Sequence, residues 1–480
     1  MKNFKMILAV TSALALSACA VGPDYQRPTQ SLPEQFRGVS DLKTGLNTEM
    51  KSIANLGWWE LFGDKQLVRL IDIALKNNLD VLTAAARVRE ANAQVTSAYA
   101  PAMPQASIGT QSSPTALAPG DTTTTAFTTG LFLSWELDIW GRYARASEAA
   151  RASLLASEES KNAIIASLVA QVAQRYMELQ TLRETRAITE RNITLQRDSL
   201  RLTTALAKHG VQSNADLRQA ESQLATTESR LPGIERQIAQ TENAISILLG
   251  NAPGSVQAST DLARVILPPQ PPAGLPAELL ERRPDIRQAE QQLIAANANI
   301  GQAKAQFFPR ISLTSTFGVL SSSLGALVNG GTTDVRSPGI DISQPLFTGG
   351  SLTANYKATL AKHEQATIAY RKAILIALQE TSDALIAYQR YAEEIKSNER
   401  RTASAREVLR LSEMRYKSGV ASFLEVIDSQ RQILSAETDL VNSRLNHSTA
   451  AVQLYKALGG GWNARDSVKG DTPLALVKGE

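Results

Sequence analysis

The side chains in this sequence with the chemistry to act are few, and a single cysteine stands first among them. Cys19 closes the run Leu16-Ser17-Ala18-Cys19, behind an apolar stretch from Met6 to Leu16 with Lys2 and Lys5 at its start. Small residues before a cysteine, after a short apolar run with a basic front, match the bacterial lipobox. There the thiol is acylated and the cysteine becomes the mature N-terminus. An ordinary export signal with an incidental cysteine is the other reading. An internal disulfide is impossible with one cysteine, so acylation, with palmitate as the lipid, is the economical account. Residue 20 is Ala rather than Asp, which removes the usual inner-membrane retention signal and makes the outer membrane the expected address.

The remaining candidates thin out quickly. His209, His363 and His447 lack ligand spacing, so no metal site is expected. His447 falls on a helical seam and reads as a packing residue. Gly459-Gly460-Gly461 follows no strand and opens no helix, so it cradles no phosphate. No nucleophile–base arrangement stands out, so the chain is expected to be no enzyme and to need no cofactor. Informative acids remain at two turns. Asp216 lies three residues after Ser213 and Glu425 three after Ser422, the spacing of a capping box, which explains both without any function. Asp428 lies beyond the first turn, where neither capping nor the helix dipole helps. It shares a face with Glu425 and has Arg431 at i+3 as a surface partner.

Those turns are copies of one another. Gly210, Val211, Ser213 and Asp216 correspond to Gly419, Val420, Ser422 and Glu425 at an offset of 209. Glycine sits in each where a helix must stop in a left-handed conformation, so each reads as the tip of a hairpin of two long helices. Ala91-Asn92-Ala93 and Pro104 recur as Ala296-Asn297-Ala298 and Pro309 at an offset of 205, and Gly141 recurs as Gly350 at 209. The chain is a duplication whose copies differ by four residues between the strands.

The pattern predicts a signal over 1–18, a wrapping segment over 19–63, a first repeat over 64–250, a proline-rich linker over 251–275, a second repeat over 276–460 and a tail over 461–480. In the first repeat, apolar spacing from Asp64 predicts one helix running to Pro101. Period-two alternation then predicts strands near 104–117 and 126–139, and a long helix from about Ala144 leads to a tip near 208–214. In the second, strands near 309–322 and 335–347, separated by a loop from Gly325 to Asp334, precede a tip near 417–423. After the first tip Leu217, Leu224, Leu231, Ile238 and Ile245 recur as a coiled-coil seam, with Pro232-Gly233 as a kink rather than an end. Val426, Ile433, Leu440, His447 and Leu454 form the second seam.

Composition excludes other classes. The formal charge of +4 falls to +2 once Lys2 and Lys5 leave with the signal, and with 5% aromatics and no basic stripe there is no nucleic-acid footprint. No window of about eighteen apolar residues exists to span a bilayer as a helix. The strands have one apolar and one mostly polar face, which suits an outer-membrane barrel or a soluble half-buried hairpin. Trp135, Trp140 and Phe132 fit either an interfacial aromatic belt or packing between strand and helix. Four strands are too few to close a barrel, which takes about eight, so a barrel-forming chain must assemble with copies of itself.

Several stretches together resemble the TolC-like outer-membrane channels of tripartite efflux pumps, in the lipoprotein branch that includes OprM and is called NodT-type. They are Gly57-Trp58-Trp59 with Phe62, Trp135-Glu136-Leu137-Asp138-Ile139-Trp140-Gly141-Arg142, Arg283-Pro284-Asp285-Ile286, Phe307-Phe308-Pro309-Arg310-Ile311-Ser312-Leu313, and Leu454-Tyr455-Lys456-Ala457-Leu458-Gly459-Gly460-Gly461-Trp462. The resemblance implies an α+β fold in which a duplicated helix-strand-strand-helix-helix repeat forms, as a homotrimer, a twelve-stranded outer-membrane β-barrel continuous with a long periplasmic α-helical coiled-coil barrel. It implies a passive exit duct for drugs or other toxic small molecules. The duct would be lipid-anchored at Cys19 and embedded in outer-membrane lipid, and would work with a periplasmic adaptor and an inner-membrane transporter of the RND type. An exit duct for type I protein secretion is the alternative of the same fold. It further implies that Asp428 and Glu425 ring the periplasmic aperture, and that Tyr416 and Asp216 latch it. Gly210, Val211, Ser213, Gly419, Val420 and Ser422 would be the tip residues that meet the adaptor. Some relatives carry a basic latch residue where this chain has Ala421, so that part of the latch is absent.

Overall fold

A computed structural model describes residues 20–33, 36, 64–115, 124–257 and 279–460; Cys19 and the Gly57-Trp58-Trp59 stretch lie outside the described residues. In chain order the elements are α1 (Lys65–Asn77), α2 (Leu79–Tyr99), a 3₁₀ turn (Ala100–Ala102), β1 (Gln105–Thr115), β2 (Thr124–Leu137), α3 (Arg142–Lys208), α4 (Asn214–Glu228) and α5 (Leu231–Leu248). They continue with α6 (Leu279–Arg282), α7 (Pro284–Ala305), β3 (Arg310–Ser321), α8 (Leu324–Asn329), β4 (Thr333–Ser343), α9 (Ser351–Lys417) and α10 (Phe423–Ala457).

The duplication is visible in the pairing itself. Adding 205 to each β1 residue and 209 to each β2 residue converts every rung of the β1–β2 ladder, from Gln105 opposite Ser134 to Thr115 opposite Thr124, into a rung of the β3–β4 ladder. The long helices follow the same rule: α3 and α9 each have 67 residues and begin and end 209 apart. The four additional residues of the second copy therefore lie between β3 and β4, where α8 replaces the expected loop.

The chain divides into two compact units. The first takes residues 1–30, 86–158 and 288–372, and contains an antiparallel sheet in the order β1-β2-β3-β4. Alanines pack its helices closely: Ala149 and Ala152 of α3 against Ala295 and Ala298 of α7. Trp140 stacks on Phe308 with ring centroids 4.8 Å apart and donates its indole N–H to the Pro309 carbonyl at 2.7 Å. Trp135 donates to the Ala102 carbonyl. Both tryptophans thus fix the junctions between strand and helix.

An extended strap over residues 20–30 lies on this unit. Its Val21 N–H donates to the Trp140 carbonyl, Asn297 donates to the Pro23 carbonyl, and Arg145 pairs with Asp24 at 2.8 Å. Arg27 grips Glu290 with two bonds, at 2.6 and 2.7 Å, and the Tyr25 hydroxyl adds a third. Burial and the adjacent Glu290 carboxylate push the Tyr25 phenol far above its ordinary pKa. Gly22 meets Gly301 so closely that a Cβ on Gly301 would strike the Val21 carbonyl, at 2.6 Å.

The second unit takes residues 31–85, 159–287 and 373–480. Asp64 caps α1 by accepting from the Gln66 and Leu67 N–H groups, and its other oxygen accepts from the buried Tyr176 hydroxyl at 2.6 Å. The single helix expected from Asp64 to Pro101 is instead two. Asn78, in extended backbone, ends α1 and caps α2 by accepting from Asp80 and Val81, while its amide donates to the Leu248 carbonyl. Near Pro232, where a kink was expected, the helix is interrupted briefly: α4 ends at Glu228 and α5 starts at Leu231. Ser229 and Arg230 keep helical dihedrals, so the chain carries on through the interruption without reversing. Proline at the second position of α5 needs no N–H partner there. Of the first seam only Ile245 is buried, while Leu217, Leu224, Leu231 and Ile238 are half-buried; in the second Val426, Ile433 and Leu454 are buried and Leu440 and His447 half-buried. Ile188 of α3 packs on Leu434 and Val441, and Ala405 of α9 on Ile433 and Ala436.

Candidate functional site: hairpin tips and sheet edges

Each tip in the second unit is a helix stop followed by a helix start. At the first, the Gly210 N–H reaches the Ala207 carbonyl and the Val211 N–H reaches Leu206, with Gly210 at φ 71°. At the second, Gly419 reaches Tyr416 and Val420 reaches Arg415, with Gly419 at φ 75°. This crossed pair of bonds satisfies the last helix carbonyls and requires a left-handed residue, which only glycine adopts without strain. The valine after each glycine points outward, Val211 at 70% and Val420 at 66% exposure.

The starts differ. Ser213 accepts from the Ala215 N–H at 3.0 Å, but Ser422 makes no side-chain cap. The capping box expected at Ser422 is not formed, because Glu425 turns instead to Arg415 across the tip, at 3.2 Å. Asp216 accepts from Gln212 at 2.9 Å. Asp428 is exposed and accepts from Gln432 at 2.6 Å. Its expected partner Arg431 points the other way, donating to Gln223 at 2.6 Å, which ties α10 to α4. Gln430 donates to Ser199 of α3 at 3.0 Å and ties a third helix into the same bundle.

Tyr416 and Asp216 are not hydrogen-bonded to each other within the chain. The Tyr416 ring lies 5.3 Å from Phe423 in a cluster with Ala220, Val426 and Ile427. Among the described residues its buried hydroxyl has no hydrogen-bond partner. Ala421 adds no polar group at the tip. His447 stacks on Tyr388 at 4.5 Å, and burial lowers its pKa, as suits a packing residue. Among the described residues no three His, Cys, Asp or Glu side chains gather as a metal site.

The sheet in the first unit sorts its residues by face. Rungs such as Ile108–Leu131–Phe317 and Trp135–Leu313–Ile340 lie on one face, and Gln105–Ser134–Thr314 and Ser107–Phe132–Thr316 on the other. The apolar face is bare: Ile108 is 83% exposed, Ile340 70% and Ile342 66%. β1 and β4 are open edges. In water such a face and two such edges are an aggregation hazard. β4 was expected to reach residue 347 but stops at Ser343. Among the described residues no helix is long and apolar enough to cross a membrane.

Two features escaped the sequence reading. The strap's Asp24, Tyr25 and Arg27 carry no periodicity, and their partners lie far along the chain. Arg283, buried in the second unit, bonds Asp285 and Glu380, each at 2.6 Å, and the Ala457 carbonyl at 3.2 Å. Burial works against the Asp285 carboxylate, but the bond and charge of Arg283 outweigh it and hold the carboxyl below its ordinary pKa.

Comparison with known proteins returns one consistent likeness. A family model described as "Outer membrane efflux protein" matches residues 70–251 and 275–460. The chain is 37% identical over 465 residues to the solvent efflux pump outer membrane protein SrpC of Pseudomonas putida, covering 95% of this chain and 98% of that one. It is 36% identical over 458 residues to the cation efflux system protein CusC of Escherichia coli O6:H1, with 95% and 98% covered. The solved structure of the outer-membrane channel OprN superposes with a TM-score of 0.84 at 29% identity, over 92% of this chain and 100% of that one.

Proposed function

From the premise that this chain belongs to the outer membrane efflux protein family, we propose that three copies close one barrel and serve as a passive exit duct for toxic small molecules. A periplasmic adaptor and an RND-type inner-membrane transporter complete the pump. The observation that carries this reading is the four-stranded sheet, apolar on one face, polar on the other and unpaired at both edges. Three copies supply twelve strands, remove every edge and turn the apolar face to lipid. Relatives named for solvent and for cation efflux share this one framework, which fits a duct whose cargo is chosen by the transporter. Acylation at Cys19 adds a lipid anchor, and the exposed valines 211 and 420, with Gly210, Ser213, Gly419 and Ser422, form the adaptor-facing tips. Deleting the gene from its host should raise accumulation of apolar toxic solutes. Detergent-extracted protein should weigh three chains by native mass spectrometry. Unchanged accumulation, or a stable monomer, would sink the reading.

The tip acids take separate roles. Asp428, exposed and bonded to Gln432, forms an anionic ring with its copies, and Glu425 lies one turn nearer the tip. Like charges so placed repel by about 1 kcal/mol in water, and such a ring favours cations. Tyr416 and Asp216 act as the latch. A buried hydroxyl without a bond costs about 1–3 kcal/mol, so a neighbouring copy that bonds the Tyr416 hydroxyl stabilises the closed state. In planar-bilayer recordings Asp428→Ala should reduce cation selectivity and block by multivalent cations at unchanged stability. Tyr416→Phe with Asp216→Ala should raise single-channel conductance. If Asp428→Ala leaves selectivity and block untouched, the acid is only a solvated helix residue.

A further inference from the structure

We propose that the face of α7 turned away from the strap lines the duct, and that the groove it forms with α9 binds small organic anions in transit. The inference rests on the reading that copies of this chain form an exit duct, and it names a site and a ligand class inside it. The strap's partners on α7 fall on one stripe, Glu290, Asn297 and Gly301. Gln292 and Asn299 each lie two residues beyond a strap contact, a turn of about 200° along an α-helix, so they stand on the opposite face. Gln306 continues their stripe just past the end of α7. From Glu290 onward the charged residues of α7 are Glu290 and Lys304, both on the strap's side, and the far side carries amides. The strap runs directly on from Cys19. A segment joined to a membrane lipid lies outside the wall of a duct, so the amide face is the inner one.

On that face a groove of about 480 Å³ opens between the two helices, a volume in the range of small-molecule sites. Ala295 and Ala303 are buried at its base, and Asn299, Gln302 and Gln306 line the α7 side. Asn355, Thr359 and Lys362 line the α9 side, four and three residues apart and so on one helix face. Glu364 lies two residues past Lys362, on the far side of α9. Among the described residues no carboxylate lines the groove. The Lys362 ammonium offers three N–H donors, and the Thr359 hydroxyl and the amides add others, a set that suits a carboxylate or sulfonate on a solute. Packing does not call for these side chains. Subtracting 209 gives Ala146, Ala150 and Ser153 at the matching places in α3, where smaller residues serve. The duplication therefore does not copy the groove, and a trimer holds three such sites.

Two measurements on purified full-length protein in detergent test the inference. Cys19 is the sequence's one cysteine and acylation occupies its thiol, so an introduced cysteine reacts alone. Asn355→Cys in the groove and Gln26→Cys on the strap are both exposed positions in the single chain. After labelling with a biotin maleimide, streptavidin is too large to enter a duct. It should capture the native Gln26→Cys trimer, and capture Asn355→Cys only after denaturation. Carboxyfluorescein, a small organic anion, should bind the trimer by fluorescence anisotropy. Lys362→Gln should weaken that binding about three- to fivefold, the worth of one exposed charge pair, and Lys362→Arg should preserve it. Equal capture of the two native trimers overturns the inner face, and carboxyfluorescein binding that is absent or indifferent to Lys362→Gln overturns the site; both leave the trimeric duct standing. A monomer by native mass overturns the duct and this inference together.

Discussion

Gly130→Ala is expected to abolish the trimer and remove the protein from the outer-membrane fraction. Gly130 in β2 stands opposite Gly318 in β3, and a Cβ added at Gly130 would lie 2.6 Å from the Gly318 Cα. The reverse substitution places a Cβ 2.7 Å from the Gly130 Cα. Backbone atoms cannot swing aside as a side chain can, so the two central strands must separate and the rungs around them fail. This is the case in which glycine in a strand marks close approach of another backbone. Gly109 lies on the same rung with open space around it. Gly109→Ala should therefore leave the four-stranded sheet of the single chain intact, which makes it the control for the β2–β3 clash. A Gly130→Ala protein that reaches the outer membrane at the wild-type level would show that the sheet absorbs the clash.

The second large effect is expected at Arg283. Its side chain is 6% exposed, whereas Asp285 and Glu380 are 41% and 49% exposed. Replacing both acids, Asp285→Asn with Glu380→Gln, leaves a buried cation with amide and carbonyl acceptors but without its two counter-charges, and stranding a buried charge costs about 3–5 kcal/mol. The low end applies, because half-exposed acids leave water a route to the guanidinium. Arg283→Met should cost less, since the two acids it releases rehydrate in place. Thermal dissociation of the purified protein should rank the variants in that order, and a milder double-acid variant would contradict the account. The pH dependence follows from the lowered Asp285 carboxyl. Its contribution is complete above the unfolded value, about 3.9, and is lost as pH falls through the lower folded value. Wild-type protein should lose stability below about pH 4 that the double-acid variant never had.

What could be read in advance was whatever the duplication repeats. The offsets 205 and 209, read from Pro104, Gly141 and the tips, anticipated the strand pairing and the matched lengths of α3 and α9. Local competition was harder to read. Asn78 breaks a helix that apolar spacing runs straight through; Asn77-Asn78-Leu79-Asp80, with an acid two residues past an amide cap, was the available signal. Glu425 has the spacing of a capping box, but Arg415 lies within reach across the tip and a cation outcompetes a backbone N–H. Arg431 has an acid at i−3 and chooses an amide on another helix. Such choices depend on what stands opposite, which spacing along one helix does not encode. The Tyr416 hydroxyl is the limiting case, since none of the described residues bonds it.

The strap at residues 20–30 bears on the order of events during biogenesis. Its contacts on α7 lie far down the chain: Arg27 and Tyr25 reach Glu290, and Pro23 reaches Asn297. A chain threaded across a membrane from its N-terminus presents the strap long before α7 has emerged. The earliest residues can meet Trp140 and Arg145 of the first repeat, but they complete their seat only when α7 of the second repeat has arrived. Closing so long a loop adds little entropic cost, since that cost grows only with the logarithm of length. What it imposes is sequence in time. Gly22 cannot nest on Gly301, nor Arg27 bond Glu290, until α7 of the second copy is present, so a chain truncated before α7 is marked as unfinished by a strap that lacks these partners.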